Sequence, residues 1–422
     1  MLEFILVMGL AIVLMLFRTP IYVAFLISSI VGVYFFVDVP FITVIQNMYS
    51  SLDKFALMAV PFFVFAADIM TSGGMASRLV YWVSALFGKT KGKMGVTTVV
   101  SANLFGAMSG SSPATVAAMG KILYPFLHKS YGYKFSSGLL TSVGAISVIL
   151  PPSIGMILYG ITANVSVGDL FIAGIVPAIV MGLFILIYVV YYVIKNKVKE
   201  DEDLEKGNLW ALTKNTLWAL GVPIIVIGGI YSGLFTPTES AAIAAVYALL
   251  VSLFVYRDVK PADVVKIAVS SSLLTAKIFI LVAASSFFSY FLSLNHIPQD
   301  IANWMNSFDL PALAVLLLIN VVLLLIGMFI EPNSAILIFT PLFLPIAIAA
   351  GVDPIHFGII FTVNLAIGMF TPPFGLNIFI ASTTLKLPIA KIIPGLVPFI
   401  IISLLALAVT TIFPQLSLLF LR

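Results

Sequence analysis

Apolar stretches of 18 residues or more recur along nearly the whole of this 422-residue chain. Each is long enough to cross the hydrocarbon core of a bilayer as a helix, and a backbone at that depth must satisfy its own hydrogen bonds. Composition agrees: 61% of the residues are hydrophobic, 9% are charged, and the mean hydropathy is +1.18. The fold class that follows is an all-α polytopic protein embedded in the lipid bilayer. A net charge of +4 and a pI near 9.0 then reflect basic cytoplasmic loops and imply no nucleic acid. The chain has no cysteine, which excludes thiol catalysis, disulfides and zinc–thiolate sites. His128, His296 and His356 are too far apart in sequence to make a ligand motif. Residues 1–18 are apolar, with neither a basic start nor a small-residue cleavage site. They are read as a retained first helix, not a signal peptide.

Ten segments are predicted to span, at 2–17, 20–37, 54–72, 135–163, 169–195, 214–232, 237–256, 262–294, 356–385 and 391–420. Two further apolar stretches, 94–128 and 312–350, are split midway by small, polar and proline residues, at Ser109–Pro113 and Glu331–Ser334. Each half is about 16 residues, or about 24 Å of helix, short for a span. Each pair is therefore read as a re-entrant hairpin with its tip near mid-membrane. Irregular backbone at that depth is tolerated where it is buried in protein or lines a cavity. The stretch from Gly106 to Gly160, which holds the first tip and a second break at Leu150–Ser153, is thus the first place to look for a binding site.

Lysine and arginine positions test this drawing. If each hairpin returns to its own side and each of the ten segments crosses once, 17 of the 21 fall on one side. Lys54 and Arg422 fall opposite, and Lys121 and Lys277 lie inside apolar segments. The rich side is cytoplasmic, which places both termini in the periplasm. The chain also repeats itself: with an offset of 221 residues, Pro151–Pro177 lies on Pro372–Pro398 with eight of 27 positions identical. The same offset sets Gly110-Ser111-Ser112 on Glu331-Pro332-Asn333. Five crossings per half make an inverted repeat, a common plan of secondary transporters. The first repeat is 1–195 and the second 214–422, joined by a cytoplasmic linker at 196–213 whose charge run, K-N-K-V-K-E-D-E-D-L-E-K, begins at Lys195.

The breaks supply the chemistry. Ser112 followed by Pro113 reads as a helix start, the hydroxyl as N-cap and proline at N1. The preceding limb ends near Ala107–Gly110 and leaves carbonyls free. Such a junction offers amides to an anion and carbonyls to a cation. Leu150-Pro151-Pro152-Ser153 does the same to the following helix, with Ser153 as cap. The counterparts are Glu331-Pro332-Asn333-Ser334 and Phe370-Thr371-Pro372-Pro373, with Asn364 and Asn377 nearby. These are hard oxygen ligands without a cluster of acids, which suits Na⁺; the structural alternative is that prolines and glycines only kink helices for packing. Glu331 either helps hold a cation or gate, or pairs with Lys277. Asp68 likewise either helps hold a cation or gate or is structural, the reading that its place near a helix end favours, and Glu239 is read as a complement to a helix dipole. Trp82 and Trp304 are read as interfacial anchors. No phosphate-binding loop, H-E-x-x-H or nucleophile–base cluster is present, so neither ATP hydrolysis nor a membrane enzyme is indicated.

Four segments, S-G-S-S-P-A-T-V-A-A-M-G (109–120), P-P-S-I-G-M-I-L-Y-G (151–160), F-T-P-T-E-S-A-A (235–242) and T-P-P-F-G-L-N-I-F (371–379), together resemble the large, DctM-like membrane subunit of tripartite ATP-independent periplasmic (TRAP) transporters. The resemblance covers essentially the whole chain. It implies a secondary transporter, not an enzyme: Na⁺-coupled uptake of an organic acid, sialic acid or a C4-dicarboxylate, across the bacterial inner membrane. A periplasmic substrate-binding protein would deliver the acid, and a small four-helix membrane subunit would be a separate polypeptide. A stand-alone Na⁺-coupled anion symporter without a binding protein is the alternative. The resemblance further implies an elevator of the ion-transporter superfamily. Its scaffold would come from 2–37, 169–195, 214–256 and 391–420. The arms would be 42–72 and 262–294, and the moving part the hairpins 94–128 and 312–350 with the broken helices 135–163 and 356–385. Two or more Na⁺ ions are implied. One would lie among Ala107, Ser109, Ser112, Leu150, Ser153 and Gly155, another among Gly327, Glu331, Asn333, Asn364, Gly368, Thr371 and Gly375. The substrate would meet Ser109, Gly110, Ser111, Ser112, Pro152, Ser153, Asn333, Thr371 and Asn377.

Overall fold

Among the described residues of the computed structural model, eight helices are long and apolar enough to cross a membrane, or nine if the pair Ser112–Ile149 and Ile154–Ala163, bent by 41°, counts as one span. The structure describes residues 2–37, 39–88, 90–200, 208–307 and 310–421, and every regular element among them is helical. Part of the charged linker, 201–207, lies outside the described residues. The first two helices, Leu2–Leu16 and Ile21–Phe36, have only 15 and 16 residues. Leu16 and Phe17 are 78% and 80% exposed, an outward apolar surface suited to lipid and unsuited to water.

Both interrupted stretches fold into paired helices. The first runs Lys93–Ser109, turns at Gly110, and returns from Ser112. The return limb and the next helix, expected as separate segments, form one helix, Ser112–Val143, interrupted only at Gly132 (φ 74°, ψ 166°). A short helix, Ile146–Ile149, the break at Leu150–Ser153, and Ile154–Ala163 complete the first broken helix. The second half of the chain follows suit with Ala312–Phe329, Pro332–Ala349, Pro354–Gly368 and Leu376–Leu385. The peptide bonds Pro151–Pro152 and Pro372–Pro373 are both cis.

Two helices were not read from the sequence, Met75–Phe87 and Ile297–Asn306. Each is amphipathic and, at 13 and 10 residues, too short to register as a span. They contain the two tryptophans read as anchors: Trp82 Nε1 donates to Thr213 Oγ1 at 3.0 Å, whereas Trp304 is 60% exposed. The arm expected at 42–72 is two helices, Phe41–Leu52 and Ala59–Ser72, joined through a 3-10 turn at Phe55–Met58.

Packing crosses between the halves. Ile154–Ala163 lies on Pro332–Ala349, and Leu376–Leu385 lies on Ser112–Val143, so the end of each broken helix rests on the other hairpin. Close approach needs small residues. A Cβ on Gly106 would come within 2.9 Å of Ser147 Cα, and one on Gly368 within 2.5 Å of the Gly327 carbonyl carbon. These two contacts are themselves 221 residues apart, the spacing seen in the sequence. The long helix Pro261–Leu294 runs along Ile21–Phe36, Phe41–Leu52 and Ala59–Ser72 and reaches Pro332–Ala349.

Candidate functional site

The first tip turns because Gly110 adopts φ +57° and passes its amide to Gly106 O at 2.8 Å. A Cβ there would sit 2.2 Å from Pro152 O, so the tip is pressed directly onto the Leu150–Ser153 break. The helix cap is Ser111, whose Oγ accepts from Ala114 N at 3.4 Å. Ser112, expected as the cap, is instead the first helical residue. Its buried hydroxyl meets Asn377, which donates Nδ2–H to Ser112 Oγ at 2.8 Å and to Thr141 O at 3.2 Å. The shift by one residue frees Ser112 to lock the tip to Leu376–Leu385. Ser153 caps Ile154–Ala163 as expected, accepting from Met156 N at 3.4 Å. Thr115 Oγ1 shares a 2.7 Å hydrogen bond with Ser147 Oγ and lies 3.3 Å from Ser109 Oγ.

The second tip is built with a charge. Glu331 caps Pro332–Ala349: its Oε1 accepts from Ser334 N and Ser334 Oγ, both at 3.2 Å, and its Oε2 accepts from Asn333 Nδ2 at 3.2 Å. Among the described residues it makes no ion pair with Lys277, which is exposed on the surface of Pro261–Leu294. Asn333 Oδ1 lies 3.8 Å from the place of a Cβ on Gly155, so this tip touches the first broken helix as Ser112 touches the second. Glu239 closes a capping box with Thr236, whose N and Oγ1 both donate to Glu239 Oε2 at 2.8 Å. That role is structural, as read from the sequence.

Between the tips lies a cavity of about 330 Å³. Ser112, Ile154, Pro332 and Leu376, each the first residue of a helix of ten or more residues, all line it. Four helix N-termini therefore bring partial positive charge to one space, an arrangement suited to a carboxylate. Of the expected residues, Ser109, Gly110, Ser111, Ser112, Gly155, Glu331 and Asn333 line the cavity. Ala107, Leu150, Pro152, Ser153, Asn364, Gly368, Thr371, Gly375 and Asn377 are not part of that lining, and Gly327 borders a neighbouring space of about 580 Å³ that shares Glu331. The structure adds Asp68 and Thr71 from Ala59–Ser72. Asp68 accepts from Ser271 Oγ at 2.6 Å; it is a cavity wall and not only a helix-end residue. An isolated acid in an apolar segment was the available signal.

The donors fit a hard monovalent cation. Asn364 Nδ2 donates to Asn320 Oδ1 at 2.9 Å and to Ile360 O at 2.8 Å, while its Oδ1 is buried without a hydrogen-bond partner. This buried acceptor, one turn before Gly368, is an oxygen that a cation could use.

The model of the DctM component of tripartite ATP-independent periplasmic transporters matches residues 8–416. The chain belongs to the DctM family. A C4-dicarboxylate TRAP transporter large permease protein of Pseudomonas aeruginosa is 41% identical over 376 residues, covering 88% of this chain and 87% of that protein. An ectoine TRAP transporter large permease protein of Halomonas elongata is 43% identical over 381 residues, covering 90% and 89%. The YdaH transporter of Alcanivorax borkumensis shares the fold with a TM-score of 0.64 over 89% of this chain and 88% of its own, at 14% identity. Both of these relatives are named as large permease proteins, so the tips and breaks described above belong to a multi-span member of a transporter permease family.

Proposed function

We propose that this DctM-family chain is the translocating subunit for Na⁺-coupled uptake of a small organic acid across the inner membrane. Two inverted repeats, related by the 221-residue offset, work as an elevator, the hairpins and broken helices sliding past the arms and scaffold. A periplasmic protein delivers the acid, and a small membrane subunit completes the complex. Convergence of four helix N-termini on one cavity is the observation that most favours this reading, because it gives a carboxylate its counter-charge without a lysine or arginine. The orphaned Asn364 Oδ1 and the carbonyls freed at the breaks supply oxygen ligands for Na⁺, which would be held by those side chains and would balance the acid's charge. Relatives named for C4-dicarboxylates and for ectoine make succinate and ectoine the first test compounds, with sialic acid as the third.

Uptake of each labelled compound into proteoliposomes holding the complex tests the proposal, with and without an inward Na⁺ gradient and the binding protein. Uptake that needs both is expected. Uptake with Na⁺ alone would instead favour a stand-alone symporter. Ser112→Ala and Asn333→Ala should each weaken Na⁺ activation; unchanged activation in both would sink the ion assignment.

A further inference from the structure

The cavity has two unlike walls. One carries the four helix N-termini and Glu331, whose oxygens are already taken by Ser334 and Asn333 at the start of a helix, where the dipole offsets its charge. The other wall comes from Ala59–Ser72 and Pro261–Leu294 and carries Asp68. Among the described residues Asp68 makes no ion pair. It accepts one hydrogen bond, from Ser271, and its Oδ1 accepts none among the described residues. It stands at the C-terminal end of its own helix, which closes at Ser72, so the local dipole is negative as well. No lysine, arginine or histidine lines the cavity. A carboxylate at this depth calls for a cation.

We propose that the cargo of this site is a zwitterion, a small acid that also carries an ammonium-type cation. Its carboxylate meets the hairpin tips and its cation meets Asp68. This rests on the transport reading of the same cavity and narrows its substrate class. A dicarboxylate would set its second carboxylate against Asp68, and like charges in a confined, partly desolvated space repel strongly. A free Na⁺ would also satisfy Asp68, and the experiment separates these two sources.

The chain has no cysteine, so Leu274→Cys places a single thiol on the Asp68 wall. In the purified membrane complex, with each rate divided by that reagent's rate with free 2-mercaptoethanol, a cationic trimethylammonium methanethiosulfonate should label it faster than the anionic sulfonate reagent, on the order of tenfold. Asp68→Asn keeps an acceptor for Ser271, and thermal unfolding of that variant checks that it folds. In it the ratio of these normalised rates should fall to near one. γ-Aminobutyrate and succinate share a four-carbon chain and differ at one end. At fixed Na⁺, γ-aminobutyrate should slow labelling and succinate should not, and Asp68→Asn should abolish the difference. Equal labelling by both reagents would overturn the proposal. So would protection by succinate as strong as by γ-aminobutyrate, or protection by Na⁺ alone with no further effect of γ-aminobutyrate. Uptake independent of Na⁺ or of the binding protein would count against the transport reading while leaving the charge ratio standing, so the two failures are distinguishable.

Discussion

The two hairpin tips occupy corresponding places and are built from different chemistry. At the first, Gly110 turns the chain and neutral hydroxyls do the bonding: Ser111 caps and Ser112 reaches Asn377. At the second, the residue in the place of Gly110 is Glu331, and it turns the chain by capping the next helix itself with φ −68°. The first tip is therefore set by backbone shape and close contact. The second is set by a charge. Steric devices fail all at once when a side chain is added, while an electrostatic one weakens in proportion to the charge removed.

The largest difference is expected from alanine at these two places. Gly110→Ala puts a Cβ 2.2 Å from Pro152 O at a positive φ and should destabilise the protein by about 3 kcal/mol. Glu331→Ala loses one cap and should cost about 1 kcal/mol. Thermal unfolding in detergent measures both, and equal losses would break the comparison. Next comes the pair that ties each tip to the opposite broken helix. Asn377→Ala strips a fully buried Ser112 hydroxyl and the Thr141 carbonyl of their partner, about 2 kcal/mol. Asn333→Ala, half-buried, should cost under about 1 kcal/mol.

Ion activation sharpens the contrast. Glu331→Gln keeps an acceptor but removes the charge, and should raise the Na⁺ concentration for half-maximal uptake about tenfold. Ser112→Ala should raise it about threefold, since charge-assisted contacts are about twice as strong as neutral ones. The smallest effect belongs to a contact outside the cavity lining. Arg78 and the Gly74 amide bond Asp258 between two spans. Although burial pushes that carboxyl up, these partners hold it below the usual carboxylate range. A depressed folded value means stability present at neutral pH and lost as the pH falls below about 4. Asp258→Asn should flatten that acid limb, cost under about 1 kcal/mol, and leave Na⁺ activation unchanged.

Much of this was legible in the chain. Ser109–Pro113 and Glu331–Ser334 interrupt otherwise apolar runs, and an interruption at membrane depth has few uses. The cap at Ser153 and the place of Glu239 at a helix start follow from local sequence alone. The cap at the first tip did not, because Ser111 and Ser112 are equally able to cap. The choice depends on Asn377, 265 residues away, which claims the second hydroxyl. The helices Met75–Phe87 and Ile297–Asn306 escaped because hydropathy detects spans, and these are short and two-faced.

Sequence by itself determined the class, the breaks and the repeat, since apolar length, proline position and residue spacing are local properties that need no partner. Only the tertiary structure decided what faces the cavity. It brought Asp68 of Ala59–Ser72 to the same space as both tips and left Asn377 and Thr371 out of its lining. Facing is a property of pairs of helices. In a chain that is apolar on every side, the hydrophobic pattern carries no mark of which face turns inward.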